Sequence, residues 1–282
     1  LKFNNLDKVY FLCVIAHPAK QISRSLVLNY ITNIKEKYFM KREISNWFSP
    51  SLQQEMPIAV YGDYGFALLL VPTAGADYLE YERFQLIDHL SPYINGGKIK
   101  VFSVNSINKQ SWMNNEMLGE HKAIRHNQFN EYIYNEVIPF IKNSTSRETP
   151  IIICGASLGA LHSMNLFLKR PDLINGVIAM SGVYDLTEYT KGFFDEQVYY
   201  NSPMHYMQNL TDHGILEQIR KSKHIHILTG SGDYEDPEAG KGFAGVLYNK
   251  GINYELSVWG PEWKHDWPTW REMLPLWIDT RF

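Results

Sequence analysis

From about residue 40 to its end, the chain alternates short apolar runs with longer stretches in which apolar residues recur at helical spacing. Arg42–Phe48 and Glu55–Tyr61 read as two strands joined at Ser49-Pro50-Ser51, a turn sequence. A second turn, Gly62-Asp63-Tyr64-Gly65, leads into Phe66–Val71. That run is apolar throughout, as suits a parallel strand covered on both faces. The pattern then predicts a helix over Tyr81–Ile94, a strand over Lys98–Val104, and a helix over His126–Ile141 with Phe129, Ile133, Val137 and Phe140 on one face. Ile151–Cys154 and Leu173–Met180 read as strands, separated by a helix carrying Leu161, Met164 and Leu168. Residues 183–222 are irregular and rich in Tyr, Phe and Asn until a helical signal over His213–Lys221. His224–Thr229, Pro237–Lys250, Tyr254–Trp259 and Pro268–Asp279 then follow as strand, helix, strand and helix. Two antiparallel strands followed by repeated β-α units predict one α/β domain, built on a mixed, mostly parallel sheet with helices on both faces.

Composition narrows this picture. With 282 residues, 45% hydrophobic and 20% charged, the chain can bury one large core. A net charge of −3 gives no basic footprint for nucleic acid or an anionic membrane, so neither is expected as a partner. Only Cys13 and Cys154 occur, so no disulfide framework is implied, and a cytoplasmic location is the expectation. No apolar run approaches the length of a membrane span. The first methionine is Met40, and the apolar stretch Val9–Ala16 has neither a basic start nor a small-residue cleavage site. We therefore read residues 1–39 as an N-terminal extension and 40–282 as the domain.

The densest chemical signal is Ile151-Ile-Ile-Cys-Gly155-Ala-Ser157-Leu-Gly159-Ala160. A buried strand here runs into a helix through a Gly-x-Ser-x-Gly turn. Such a turn strains the backbone at the serine and lifts its hydroxyl clear of both elements. Gly155 and Gly159 remove the side chains that would collide across it.

A serine hydroxyl needs a base in reach, and the base needs an orienting carboxylate. The elbow resembles that of the α/β hydrolases, in which the chain order is Ser, then Asp or Glu, then His, each on a loop at the carboxyl end of a strand. After the last strand, His265 is the only histidine, and we assign it as the base. Asp266 beside it reads as the N-cap of the final helix. The acid should follow His224–Thr229, in Gly230-Ser-Gly-Asp233-Tyr-Glu235-Asp236. Asp233 and Glu235 both fit, and one of them is expected to be the triad acid. Asp236 before Pro237 reads as a helix cap, and Asp185 is an outside candidate. An oxyanion intermediate needs fixed N–H donors. We expect one from Leu158 at the helix N-terminus and another from Ala74, Gly75 or Ala76 in the small-residue loop after Phe66–Val71.

These segments resemble the esterase D-like branch of the α/β hydrolases. The matching stretches are Pro72-Thr73-Ala74-Gly75 with Glu80-Tyr81-Glu82, Ser106 to Ser111-Trp112, Gly155-Ala-Ser157-Leu-Gly159, and Ser181-Gly182-Val-Tyr-Asp185. Thr229-Gly-Ser-Gly232 with Glu235-Asp236, and Trp259-Gly260 with His265-Asp266-Trp267-Pro268, complete the set. The resemblance covers the chain from about residue 40 to its end. It implies an α/β-hydrolase fold and a Ser-acid-His site that carries onto Ser157 and His265. In that family the Glu-Asp pair is the more regular feature, which shifts the acid toward Glu235.

Some features need weighing against plain packing. Trp267, Trp270 and Trp277 fit one helical face as core, and Trp263 with Trp267 flanks His265, where they could wall a pocket. His224 and His226 share a strand face but lack a third metal ligand of suitable spacing, so no metal is expected. Residues 183–222 sit where such folds insert a cap. The expectation is a serine esterase acting on a small-molecule ester through an acyl-enzyme, with no cofactor. An acyltransferase or thioesterase would use the same residues, and a non-catalytic binding module would have no need of them.

Overall fold

The computed structural model describes residues 40–282, so the expected extension over residues 1–39 lies outside the described residues. Eight strands form one sheet: β1 (Arg42–Ser49), β2 (Gln54–Tyr61), β3 (Phe66–Val71), β4 (Ile99–Val104), β5 (Ile151–Ala156), β6 (Gly176–Met180), β7 (His224–Thr229) and β8 (Glu255–Val258). Their order is β1-β2-β4-β3-β5-β6-β7-β8. The β1–β2 and β2–β4 pairs are antiparallel, and every other pair is parallel. The helices are α1 (Glu80–Arg83), α2 (Leu86–Asn95), α3 (Gly119–Tyr132), α4 (Ile138–Ser144), α5 (Leu158–Lys169), α6 (Glu196–Tyr199), α7 (Pro203–Asn209), α8 (His213–Lys221), α9 (Pro237–Asn249) and α10 (Trp267–Arg281). This is the mostly parallel α/β-hydrolase sheet expected from the alternation of patterns. Among the described residues no helix is long and apolar enough to cross a membrane.

Three elements differ from the periodicity. The helix expected over 81–94 breaks at Gln85, whose φ of 64° is left-handed, and Phe84 at the break stacks flat on Trp267 at 4.6 Å. The helix expected over 126–141 begins earlier, at Gly119, and widens into a π turn over Ile133–Val137 before α4. Pro139 follows that turn. It has no N–H for the carbonyl four residues back, so the regular ladder cannot run through unbroken. The strand expected from Leu173 starts at Gly176, because the Leu173 and Ile174 N–H groups turn back onto the Arg170 carbonyl, at 3.0 and 3.1 Å, instead of joining the sheet.

Parallel register levels the strand ends. Val71 lies opposite Gly155, Ala156 opposite Met180, Met180 opposite Leu228, and Thr229 opposite Val258. The loops leaving β3, β5, β6, β7 and β8 therefore emerge along one edge, where open parallel sheets bind ligands. All six residues of β5 are buried, and so is α5 from Leu158 to Leu168. A helix buried on all sides needs cover beyond the sheet. Part of it comes from α3 and the 183–222 segment, which an amide cluster joins to α5. In that cluster Asn201 Oδ1 accepts from Asn130 Nδ2 at 2.9 Å and from Asn165 Nδ2 at 3.2 Å.

A second polar chain crosses the same layer. Trp112 Nε1 donates to His126 Nδ1 at 3.1 Å, His126 Nε2 meets His162 Nδ1 at 3.0 Å, and His162 Nε2 meets Asn108 Oδ1 at 2.7 Å. All four side chains are buried. Burial pushes His126 well below the usual imidazole range and His162 down to about 3. The unfolded chain takes up a proton on His162 near pH 6.5, whereas the folded chain holds it neutral down to about 3. Acid between those values therefore favours the unfolded state. We expect urea-unfolding stability to fall from pH 6 to pH 5, and His162→Gln to remove up to about 1.4 kcal/mol per pH unit of that slope. An unchanged slope would show that His162 titrates alike in both states.

Candidate active site

Ser157 ends β5 and begins α5 with φ 56° and ψ −124°, a backbone conformation that side chains disfavour. Packing over-determines it. A Cβ on Gly155 would lie 2.3 Å from the backbone of Gly159, and one on Gly159 would lie 2.5 Å from the Val71 carbonyl oxygen. The start of α5 therefore rests directly on the end of β3. The Ser157 N–H donates to the Met180 carbonyl at 2.9 Å, tying the elbow to the end of β6.

The next residue, Ser181, leads toward the expected acid. Its Oγ donates to Glu235 Oε1 at 2.6 Å and accepts from Trp270 Nε1 at 2.9 Å. Thr229 Oγ1 lies 3.1 Å from the other carboxylate oxygen, and His265 Nδ1 lies 3.5 Å from it. The Glu235 side chain is fully buried. Burial pushes its carboxyl upward, but hydrogen bonds from His265 and Ser181, the His265 charge and the Gly230 N–H outweigh it and hold the group below the usual range. A carboxylate on Nδ1 leaves Nε2 of His265 as the nitrogen that can accept a proton. Among the described residues Ser157 Oγ and His265 are not hydrogen-bonded to each other. They are linked instead through the end of β6.

Asp233 occupies a different environment. Its carboxylate is 65% exposed and pairs with Lys264 Nζ at 2.6 Å. Its contribution to His265 is backbone: the Asp233 carbonyl accepts the His265 N–H at 3.0 Å. The Gly232 N–H donates to the Trp263 carbonyl at 2.9 Å, so the β7 and β8 loops are stitched main chain to main chain. That approach requires glycine, since a Cβ at Gly230 would fall 2.1 Å from the Trp263 oxygen. Asp236 and Asp266 cap α9 and α10, and Asp185 bonds Thr187.

The Leu158 amide begins α5. Leu158 belongs to a buried apolar cluster with Leu161 and Trp112, against which Ala74, Val183 and Tyr189 pack. The β3 loop and the Ser157 turn thus meet on one apolar wall. Thr73 anchors that loop. Its N–H and Oγ both donate to buried Glu80, at 2.8 and 2.5 Å, and its carbonyl accepts from Asn108 Nδ2 at 3.2 Å. Gly75 is exposed, and a Cβ there would meet nothing within 4 Å.

Several of these groups carry no role in the sequence reading. Ser181 and Asn108 fall inside matched segments, but nothing local marks their partners. Trp270 reads as core, which it is, being 4% exposed. It also places its ring 5.3 Å from that of His265. Trp267 stacks on Phe84 and Trp263 on Trp259. His226 faces Glu255 at 3.3 Å and His224 stacks on Phe282, so both have packing partners.

Comparison with known proteins fits this geometry. The model of the family described as Putative esterase matches residues 104–276. A solved ferulic acid esterase is 17% identical, with a TM-score of 0.67 over 85% of this chain and 96% of its own. An S-formylglutathione hydrolase from Staphylococcus aureus is 18% identical, with a TM-score of 0.61 over 85% and 98%. A ferulic acid esterase from the anaerobic fungus Anaeromyces mucronatus is 13% identical, with a TM-score of 0.62 over 86% and 90%. At these identities the structures show a shared fold. No curated protein sequence matches the chain significantly. The family match spans more than half of the 282 residues, so the chain belongs to the Putative esterase family and, with it, to the carboxylic ester hydrolases of the α/β-hydrolase fold.

Proposed function

We propose that the protein is a serine esterase with Ser157 as nucleophile, His265 as base and Glu235 as the triad acid. The observation that carries this reading is the buried Glu235 carboxylate against His265 Nδ1, on the same sheet edge as the strained Ser157 turn. His265 Nε2 takes the hydroxyl proton as Ser157 Oγ attacks the ester carbonyl, then delivers it to the leaving alcohol. A water molecule, deprotonated by the same nitrogen, hydrolyses the acyl-enzyme. The Leu158 N–H and amides of the Ala74–Ala76 loop hold the oxyanion. Glu235 keeps the proton on Nδ1 and stabilises the imidazolium formed in each half-reaction. Catalytic hydrogen bonds commonly tighten only when substrate is bound, so the unbonded Ser157 hydroxyl suits a resting site. The wall formed by Ala74, Leu158, Val183 and Tyr189 favours an apolar acyl or aryl group beside the reacting carbon. Ferulic acid esterases and S-formylglutathione hydrolases among the structural neighbours bracket that range from aryl to very small acyl groups.

A fluorophosphonate probe should label the protein at Ser157, and Ser157→Ala should abolish both labelling and ester hydrolysis. Retained hydrolysis in that variant would refute the assignment. The two candidate acids can be separated kinetically. Glu235→Gln should lower kcat on the order of several thousand-fold, while Asp233→Asn should change it little. A large loss in Asp233→Asn with Glu235→Gln nearly intact would move the acid to Asp233.

A further inference from the structure

The buried chain Trp112–His126–His162–Asn108 ends on Thr73, the second residue of the loop that carries the proposed oxyanion donors. Its hydrogen bonds can run in one direction only. An indole N–H can only donate, so His126 Nδ1 accepts and its proton sits on Nε2. His162 Nδ1 must then accept, which puts the His162 proton on Nε2 and makes that nitrogen the donor to Asn108. Asn108 therefore presents Oδ1 to His162 and has its amide N–H left for the Thr73 carbonyl. Were the His162 tautomer reversed, Asn108 would turn its own oxygen toward that carbonyl.

The Thr73 carbonyl and the Ala74 N–H belong to one planar trans peptide and point in opposite directions. Holding the oxygen toward Asn108 therefore aims the Ala74 N–H away from the buried chain. Between this point and Asp77, which bonds the Leu79 and Glu80 N–H groups and Arg83, the loop residues Ala74, Gly75 and Ala76 are small, and Ala74 packs against the apolar cluster beside Leu158. We propose that Asn108 and His162 are positioning residues of the oxyanion loop, setting the plane of the Thr73–Ala74 peptide so that its N–H is preorganised for the tetrahedral intermediate. Glu80 fixes the opposite side of Thr73. The proposal rests on the reading of Ser157 and the Ala74–Ala76 loop given above.

Asn108→Leu and the isosteric Asn108→Asp test it on the full chain, with p-nitrophenyl acetate as substrate and Ser157→Ala in parallel. Removing one oxyanion donor costs about a hundredfold or more in kcat, and a donor left misaligned should cost about tenfold to a hundredfold, with KM changed by no more than about threefold. The aspartate variant adds a signature that mere packing loss would not produce. Its introduced carboxyl can donate to the Thr73 oxygen only when protonated, so its kcat relative to wild type should rise as pH falls from 8 to 6. The leucine variant should show no such trend. The titratable groups facing this position are His162 directly, His126 and Lys169 behind it, and Glu80 across Thr73. In the wild type burial holds His162 at about 3, so the reference kcat carries no His162 titration over that range.

Wild-type kcat in folded Asn108→Asp, or a loss that is equal to that of Asn108→Leu at every pH, would overturn the proposal. Should the leucine variant fail to fold, the aspartate variant alone decides: a wild-type kcat, or a lowered kcat that does not rise relative to wild type as pH falls, overturns the proposal. If Ser157→Ala keeps full hydrolysis, the site reading itself has failed. If Ser157→Ala is dead while both Asn108 variants keep wild-type kcat, only the positioning role has.

Discussion

Gly159 rests on the carbonyl oxygens at the end of β3 with no room for a single methyl group, and Gly155 rests on Gly159 in the same way. This contact between backbones is the constraint on which the site depends. It brings the first turn of α5 against the loop after β3, so that Leu158 and Ala74 pack in one apolar cluster. It also leaves Ser157 no relaxed conformation, and the chain turns through it at φ 56°. Strain of this kind persists only where the surroundings over-determine it. Here the surroundings are a helix buried on every side and a strand buried along its whole length.

The proposed acid and its neighbour show how little sequence distance matters beside environment. Asp233 and Glu235 are two residues apart in one loop. One carboxylate meets a lysine in solvent, and the other is sealed beneath Ser181, Thr229 and His265. A buried carboxylate is costly unless its oxygens are matched by donors, and Glu235 has donors on both. Those donors come from the ends of β6 and β7 and from the β8 loop, elements whose ends the parallel register brings level. Asp233 serves the same histidine through its carbonyl, within a main-chain seam that only glycine permits at position 230.

Much of the fold was legible because it rests on periodicity. The runs Phe66–Val71 and Ile151–Cys154 are short continuous apolar segments rich in branched side chains, as a strand covered on both faces requires. The elbow was legible because its requirement for small residues is written within five consecutive positions. The helix break at Gln85 and the π turn before Pro139 were not, since each answers a local conflict rather than a pattern. Asn108, His126 and His162 were equally silent, because a polar residue in an apolar context carries no sign of its partner. His162 is on α5 and Asn108 lies 54 residues earlier, between β4 and α3.

The sequence by itself determined the α/β alternation, the Gly-x-Ser-x-Gly turn and the one histidine downstream of the last strand, because each depends on residues near one another along the chain. It left two acids open, and only tertiary structure distinguished their surroundings. Burial, the direction of a hydrogen-bond chain and the company of a carboxylate depend on which strand ends are brought side by side. That is set by sheet order and register across the whole domain.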